Sequence, residues 1–477
     1  MLIGRENEIR VLKEALNSDT SEFIAVYGRR RVGKTYLVRE VFDGRFEFYH
    51  TGIANAGRSV QISRFAVSLR KQGFDARKKP ATWFDAFDLL EAGLAKLPAG
   101  KKVVFIDEMP WMDTQRSNFI GALESFWNGW ASARKDILLV VCGSATSWMT
   151  DKIINARGGL HNRLTHRIRL EPFTLAECER FLQSKGVVAT RMQILEYYMA
   201  MGGVPYYWNY IRKDMSPAQN IDAMFFSPSA ELRDEYGHLY ASLFRKPQCH
   251  MSIVGALGTK KAGMTREELL VAVRHADNGA FSKALGELVE CGFVRVYRMP
   301  GKRSHGAIYQ LIDNYTLFYY RFLVDLGDGE SGAWLYIQKS SAASVWRGLS
   351  FERVCLAHSE QIKRRLGISG MRTWQYAWRS SQAEPGEEAQ IDLLIERTDN
   401  AVNICEMKYS GGEYEIDREE DLKMLNRRER FIKENKFRGS VYMTFVTTCG
   451  VAHNAYWGDV QSEVVLDDLF ADLPDNV

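Results

Sequence analysis

At 477 residues, 46% hydrophobic and with a formal net charge of +4, the chain is too long for one hydrophobic core. It is expected to hold about three domains. The near-balanced charge excludes a globally basic, nucleic-acid-coating body, so any such contact must come from local patches. No apolar run approaches the ~20 residues that span a bilayer, and Met1 to Arg10 lacks the apolar core of a signal peptide. The seven cysteines are scattered without a C-x-x-C pair, as suits reduced thiols in a cytoplasmic protein.

Gly4-Arg5-Glu6 opens a helical pattern through Ile9, Leu12 and Leu16 that could close over an adenine ring. Phe23 to Tyr27 is a short apolar run, expected as a buried parallel strand. It leads into Gly28-Arg29-Arg30-Arg31-Val32-Gly33-Lys34-Thr35, which has the form G-x-x-x-x-G-K-[ST]. In such a loop the glycines let successive backbone N–H groups point at phosphates, and the next helix adds its positive end. Lys34 is expected to reach the β/γ-phosphates and the Thr35 hydroxyl to ligate Mg²⁺. Arg29, Arg30 and Arg31 add a positive field for ATP, and Tyr36 follows at the helix start.

Val103 to Ile106 is a second buried strand, ending in Asp107 and Glu108 at the end where parallel sheets place ligands. Asp107 is expected to hold Mg²⁺, and Glu108 to polarise the water attacking the γ-phosphate. A third strand, Ile137 to Cys142, ends in Gly143-Ser144. Ser144 could touch the γ-phosphate or the attacking water, or be a turn serine. Arg163 is a candidate finger for a neighbouring subunit's nucleotide, in competition with Arg157, Arg167 and Arg169. Thr174 to Glu177 is a capping box, and 172–235 reads as a small helical lid.

These ordered motifs, with Gly158 to Arg163 and Gly202-Gly203-Val204-Pro205, resemble the AAA-type ATPases described as predominantly archaeal, which lie close to the signal-transducing STAND class. The resemblance covers about residues 1–235. It implies an α/β AAA+ P-loop core with a helical lid, ATP and Mg²⁺ binding, and homo-oligomerisation through an arginine finger.

From about 240 the texture changes. Helical patterns around Ile253 and Leu257, at Leu269 to Arg274 behind a Thr265 capping box, and at Gly279 to Cys291 precede an alternating strand, Phe293 to Tyr297. A turn at Pro300 to Lys302 and a return strand, Ala307 to Leu311, complete a winged helix-turn-helix. Lys283, with Lys302, Arg303 and His305 on the wing, could meet DNA phosphates; such domains also mediate protein contacts. Tyr315 to Phe322 is expected as a packed connector helix that buries Leu317, Tyr320 and Phe322 together.

The last stretch offers Glu352 on a helix, Asp392 on a strand from Gln390 to Glu396, and Glu406 with Lys408 on a strand from Val402. Asp392 and Glu406 stand fourteen positions apart, which suits a β-hairpin presenting both carboxylates as an oxygen site for Mg²⁺. Lys408 falls on the same strand face as Glu406 and could orient water or neutralise phosphorane charge. Asp417 to Lys436 mixes both charge signs and reads as a solvated helix face. The ordered set is similar to the PD-(D/E)xK, restriction-endonuclease-like nuclease fold, which implies phosphodiester cleavage with Glu352, Asp392, Glu406 and Lys408 around Mg²⁺.

The expected domains are the ATPase core at 1–170, the lid at 171–238, the winged helix at 239–325 and the nuclease-like domain at 326–477. The expected function is ATP-driven processing of DNA, or RNA. The alternative is an ATP-dependent signalling switch or DNA remodeller whose C-terminal domain only binds.

Overall fold

A computed structural model describes residues 2–155, 159–244, 246–260, 263–297, 307–327, 329–380 and 389–473. The chain forms two compact units. One runs to Pro172 and takes in His238–Pro247; the other holds Phe173–Gly237 and everything from Gln248. The expected lid therefore groups with the C-terminal half. Lys302, Arg303 and His305 of the expected wing, and Arg157, lie outside the described residues.

The first unit is built on a parallel sheet of β1 (Glu22–Tyr27), β2 (Phe48–Thr51), β3 (Lys102–Asp107), β4 (Ile137–Gly143) and β5 (His166–Arg169), in the order β2-β3-β4-β1-β5. The inner strands β3, β4 and β1 read as near-continuous apolar runs because both their faces are covered, whereas the edge strands β2 and β5 carry polar residues. Alternate residues supply two separate cores. Phe23, Val104, Ile106, Leu139 and Val141 pack with Phe65, Trp83 and Phe119. Ile24, Val26, Phe105, Leu138 and Val140 pack with Leu12 of α1 (Glu6–Leu16) and with Leu37 and Val38 of α2 (Lys34–Val41). Each such side chain taken out of water contributes roughly 1.5–3 kcal/mol, which fixes the sheet on which the site depends.

In the second unit, helices Leu175–Ser184 and Arg191–Met201 both begin with capping boxes, at Thr174/Glu177 and Thr190/Gln193. Helices Gln248–Thr259, Arg266–Val273 and Gly279–Glu290 accompany a three-stranded antiparallel sheet of β6 (Met264–Thr265), β7 (Val294–Tyr297) and β8 (Ile308–Leu311), ordered β6-β8-β7. The connector helix is Asn314–Phe322. It buries Tyr315, Leu317 and Phe318, while Tyr320 and Phe322 are only half-buried: the Tyr320 hydroxyl bonds to that of Tyr236, and Phe322 packs on Trp334 and Trp346.

A mixed sheet closes the chain: β9 (Thr373–Arg379), β10 (Gln390–Arg397), β11 (Ala401–Lys408), β12 (Ser440–Thr447) and β13 (Ser462–Val465), ordered β13-β12-β11-β10-β9. β9, β10 and β11 are antiparallel neighbours, whereas β11, β12 and β13 run parallel. Helix Arg418–Asn435 covers one face through Met424 and Phe431, packed on Ile391, Leu394, Ile404 and Met443.

Candidate functional site

The loop after β1 has its shape imposed by two positions. Gly28 has φ +138°, and a Cβ there would lie 2.3 Å from the Leu170 carbonyl oxygen, so no side chain fits. Gly33 has φ +94° and forms the N-cap of α2. Arg31 is also left-handed, with φ 69°, while Val32 is buried in the core beneath the loop. The Lys34 side chain, 5% exposed, folds back so that Nζ donates to the carbonyls of Gly28 (2.9 Å) and Arg29 (2.7 Å). An ammonium held inside the ring of backbone is already placed for phosphate oxygens. Arg29 is buried, Arg30 half-buried, and Tyr36 stands 49% exposed at the start of α2, its phenol pushed up by burial and by Glu40.

The end of β3 meets this loop. Thr35 Oγ1 donates to Asp107 Oδ2 at 2.9 Å, and the Glu108 amide donates to Asp107 Oδ1, also at 2.9 Å. Burial, then the neighbouring Glu108, raises the Asp107 carboxyl above its ordinary range, partly offset by those hydrogen bonds. Thr35 and Asp107 thus present a hydroxyl and a carboxylate side by side, the hard-oxygen donor pair that suits Mg²⁺. Glu108 sits in the left-handed region at φ 46°. Its Oε1 accepts from Ser144 Oγ at 2.7 Å, and its Oε2 lies 3.4 Å from the Ser144 amide. The chain Thr35–Asp107–Glu108–Ser144 therefore joins residues that the sequence scatters over more than a hundred positions. Arg163 is exposed on the turn after Leu160, Arg167 is exposed, and Arg169 pairs with Glu171 at 2.6 Å.

The second set of expected residues lies on helix Ser341–Ala357 and on the neighbouring strands β10 and β11. Ile391 and Leu394 both belong to the core under helix Arg418–Asn435, and the β9–β10 register shifts between them. This bulge turns Asp392 out of the alternation. Asp392 accepts from Gln390 Nε2 at 2.6 Å and lies in the electrostatic field of Arg295, Tyr297 and Arg353. Glu352 shares that surrounding, acting on Tyr297 and Arg353. Arg353 is buried, donates to the carbonyls of Leu311 (3.0 Å) and Leu349 (2.8 Å), and is pushed down to about 10 by burial.

Glu406 and Lys408 follow the regular alternation from Ile404 and face the same helix, Arg418–Asn435. Lys408 Nζ bridges Glu406 Oε1 (3.0 Å) and Glu420 Oε1 (2.8 Å), while Arg427 Nη1 meets Glu406 Oε2 at 2.8 Å. Burial opposes the Lys408 ammonium, yet Glu406 and Glu420 together hold its pKa above that of an ordinary lysine. A cation so held has no tendency to act as a base at neutral pH. Leu393 pairs with Cys405 at the end of the β10–β11 ladder, so Asp392 and Glu406 are the next positions on the two strands, each with polar partners of its own. Among the described residues, no group of three or more histidine, cysteine or acidic side chains could hold a metal ion. The sequence offered no sign of Glu420 and Arg427 as partners, since their stretch reads as solvated.

Among the described residues, no helix is long and apolar enough to cross a membrane. Residues 2–211 match the family described as the ATPase domain predominantly from Archaea. The chain is similar to the protein MJECL04 of Methanocaldococcus jannaschii, 24% identical over 365 residues, which are 74% of this chain and 76% of that one. A 45-residue stretch is 36% identical to the ATP-binding protein MJ0423 of the same organism, covering 9% of this chain and 76% of the other. Among solved structures, the Walker-type ATPase of Pyrococcus abyssi aligns with 67% of this chain and 96% of its own, at 17% identity and a TM-score of 0.49. The Aeropyrum pernix ORC2 protein aligns over 67% and 93%, at 13% identity and a TM-score of 0.42. With its parallel sheet and the loop from Gly28 to Thr35, the N-terminal part of this chain, residues 2–211, is similar to the ATPase domain described as predominantly from Archaea.

Proposed function

We propose that this protein is a Mg²⁺-dependent ATP hydrolase that uses the nucleotide cycle to switch its contact with nucleic acid. The observation that carries the hydrolytic part is the hydrogen-bonded chain Thr35–Asp107–Glu108–Ser144 beside the P-loop. Lys34 and the loop amides hold the phosphates. Thr35 and Asp107 would hold Mg²⁺, which when bound would supply positive charge to the phosphates. Glu108 accepts the proton of the attacking water, and Ser144 keeps its carboxylate aimed. The test is Glu108→Gln in the full chain. ATP binding is expected to persist while turnover falls about 10²–10⁴-fold; turnover near the parent's level removes Glu108 from the role.

The nucleic-acid part rests on the three helices and antiparallel sheet at 248–311, the element order of a winged helix, with Lys283 74% exposed on the third helix. Salt-dependent binding of DNA that weakens in Lys283→Glu supports it, and salt-independent or absent binding ends it.

A second reading, phosphodiester cleavage by the C-terminal domain, is favoured by one feature. Glu406 and Lys408 lie 3.0 Å apart on one face of β11, beside a strand that carries Asp392 in a bulge. Linear, circular and single-stranded DNA, and RNA, incubated with Mg²⁺ with and without ATP separate the readings. If the parent and Asp392→Ala give identical products on every substrate, the nuclease reading fails and the switch remains.

A further inference from the structure

Glu108 stands in a backbone conformation that a non-glycine residue adopts at a cost, and such conformations persist where their surroundings over-determine them. The surroundings can be traced bond by bond. The parallel ladder between β2 and β3 ends at Thr51 beside Asp107, and the Gly52 amide then donates to the Asp107 carbonyl at 2.9 Å. Beyond it the segment 53–57 leaves the sheet, and its polar backbone groups need new partners.

Gln61 supplies them. It lies on helix Arg58–Lys71 and is fully buried, 0% exposed. Its Oε1 accepts from the Ile53 amide at 3.1 Å, and its Nε2 donates to the Ile53 carbonyl at 2.6 Å. The same Nε2 approaches the Ala56 carbonyl at 3.4 Å and donates to the Trp111 carbonyl at 3.0 Å. That last bond is the informative one. Trp111 closes the single helical turn Met109–Trp111 that follows Glu108, and its amide donates back to the Glu108 carbonyl at 3.2 Å. One side-chain amide therefore ties the loop after β2 to the turn that carries the catalytic carboxylate.

Gly52 presses on the same spot. A Cβ built there would lie 2.5 Å from the Glu108 carbonyl oxygen, 3.2 Å from the Met112 side chain and 3.3 Å from that of Trp111. The loop and the turn are thus in van der Waals contact across Gly52 and hydrogen-bonded across Gln61. The hydrogen bonds of the Gln61 side chain go to Ile53, Ala56 and Trp111.

We infer that Gln61, through Trp111 and with Gly52 as its contact surface, is a positioning residue that holds Glu108 in its left-handed conformation for attack on ATP. This rests on the reading of Glu108 as the residue that activates water. A glutamine suits the position because one group must accept from an amide and donate to several carbonyls at once, which neither a carboxylate nor a hydrocarbon can do.

The experiment compares the full-length parent with Gln61→Met, Gly52→Ala and Glu108→Gln. Affinity for a fluorescent ATP analogue with Mg²⁺, steady-state turnover and thermal unfolding are measured for each. Gln61→Met is expected to bind nucleotide within about twofold of the parent while kcat falls about tenfold or more, the split expected when an interaction matters in the transition state. Gly52→Ala is expected to show the same split through its clash with the Glu108 carbonyl, and it decides the matter if Gln61→Met does not fold. Turnover within twofold of the parent in a folded variant overturns the inference, as does an equal loss of affinity and turnover. If Glu108→Gln itself retains turnover, the reading beneath the inference fails. If Glu108→Gln is inactive while the other two are normal, the inference fails by itself.

Discussion

Two acidic centres in this molecule look alike in sequence and differ in what surrounds them. At the end of β3, Asp107 and Glu108 receive hydrogen bonds from neutral donors: a hydroxyl from Thr35, a hydroxyl from Ser144 and backbone amides. On β11, Glu406 receives charge from cations, Lys408 on its own strand and Arg427 on the covering helix. A carboxylate held by neutral donors keeps its negative charge available to a metal or a proton. One clamped between an ammonium and a guanidinium is already neutralised, so a metal must first displace a partner. The lesson is that a carboxylate's readiness for chemistry depends on the charge of its partners as well as on its own placement.

The largest expected effect tests the first centre. Lys34→Ala removes a charge that faces both the loop carbonyls and the expected phosphates. Losing such a partner typically costs about 2–5 kcal/mol, so affinity for a fluorescent ATP analogue should fall at least about thirtyfold. Affinity close to the parent's would mean the loop amides bind phosphate unaided, and the centre's preorganisation would not depend on the lysine.

A smaller effect sharpens the other side. Glu406, Lys408, Glu420 and Arg427 are between 14% and 23% exposed, so their pairing is only partly screened. A double-mutant cycle of Glu406→Gln with Arg427→Met should return a coupling of about 1–2 kcal/mol in chemical denaturation. Coupling near zero would mean that the ion pair is dispensable and that Glu406 is free for a metal, which would restore weight to the nuclease reading.

The contrast also explains what could be read ahead of the fold. The P-loop was legible because its glycines answer to backbone geometry: at Gly28 a Cβ would collide with Leu170 whatever surrounds the site. Asp107 and Glu108 were legible because an apolar run fixes the strand, and the strand fixes which end meets the ligand. The surroundings of the C-terminal acids were not, for two reasons. A bulge at Asp392 breaks the period of two on which same-face arguments depend. The partners of Glu406 come from a helix whose charged pattern, Arg418 to Asn435, gives no sign of which residues turn inward. Gln61 was invisible for a related reason, since a glutamine in a helix reads as solvent-facing unless the loop it serves is known.

A last effect concerns acid, and each unit supplies its own case. His50 and His358 are both buried, and burial pushes both from 6.5 down to about 4. His358 is the better defined, because its ring is used at both ends. Nδ1 faces the Val354 carbonyl at 2.8 Å and Nε2 accepts from the Leu175 amide at 3.0 Å, capping helix Leu175–Ser184. That arrangement requires the neutral ring, because a protonated Nε2 cannot accept. The folded state therefore resists protonation that the unfolded chain welcomes near 6.5. Stability is unaffected above that value, declines by about 1.4 kcal/mol per pH unit as the pH falls below it, and levels off below about 4. His358→Gln keeps an acceptor for the Leu175 amide but cannot titrate, so its stability should fall less steeply than the parent's across this window, leaving the share set by His50 and by the carboxylates. A variant slope equal to the parent's would show that the His358 ring is not held neutral in the folded chain. The cap on helix Leu175–Ser184 would then have to be made some other way.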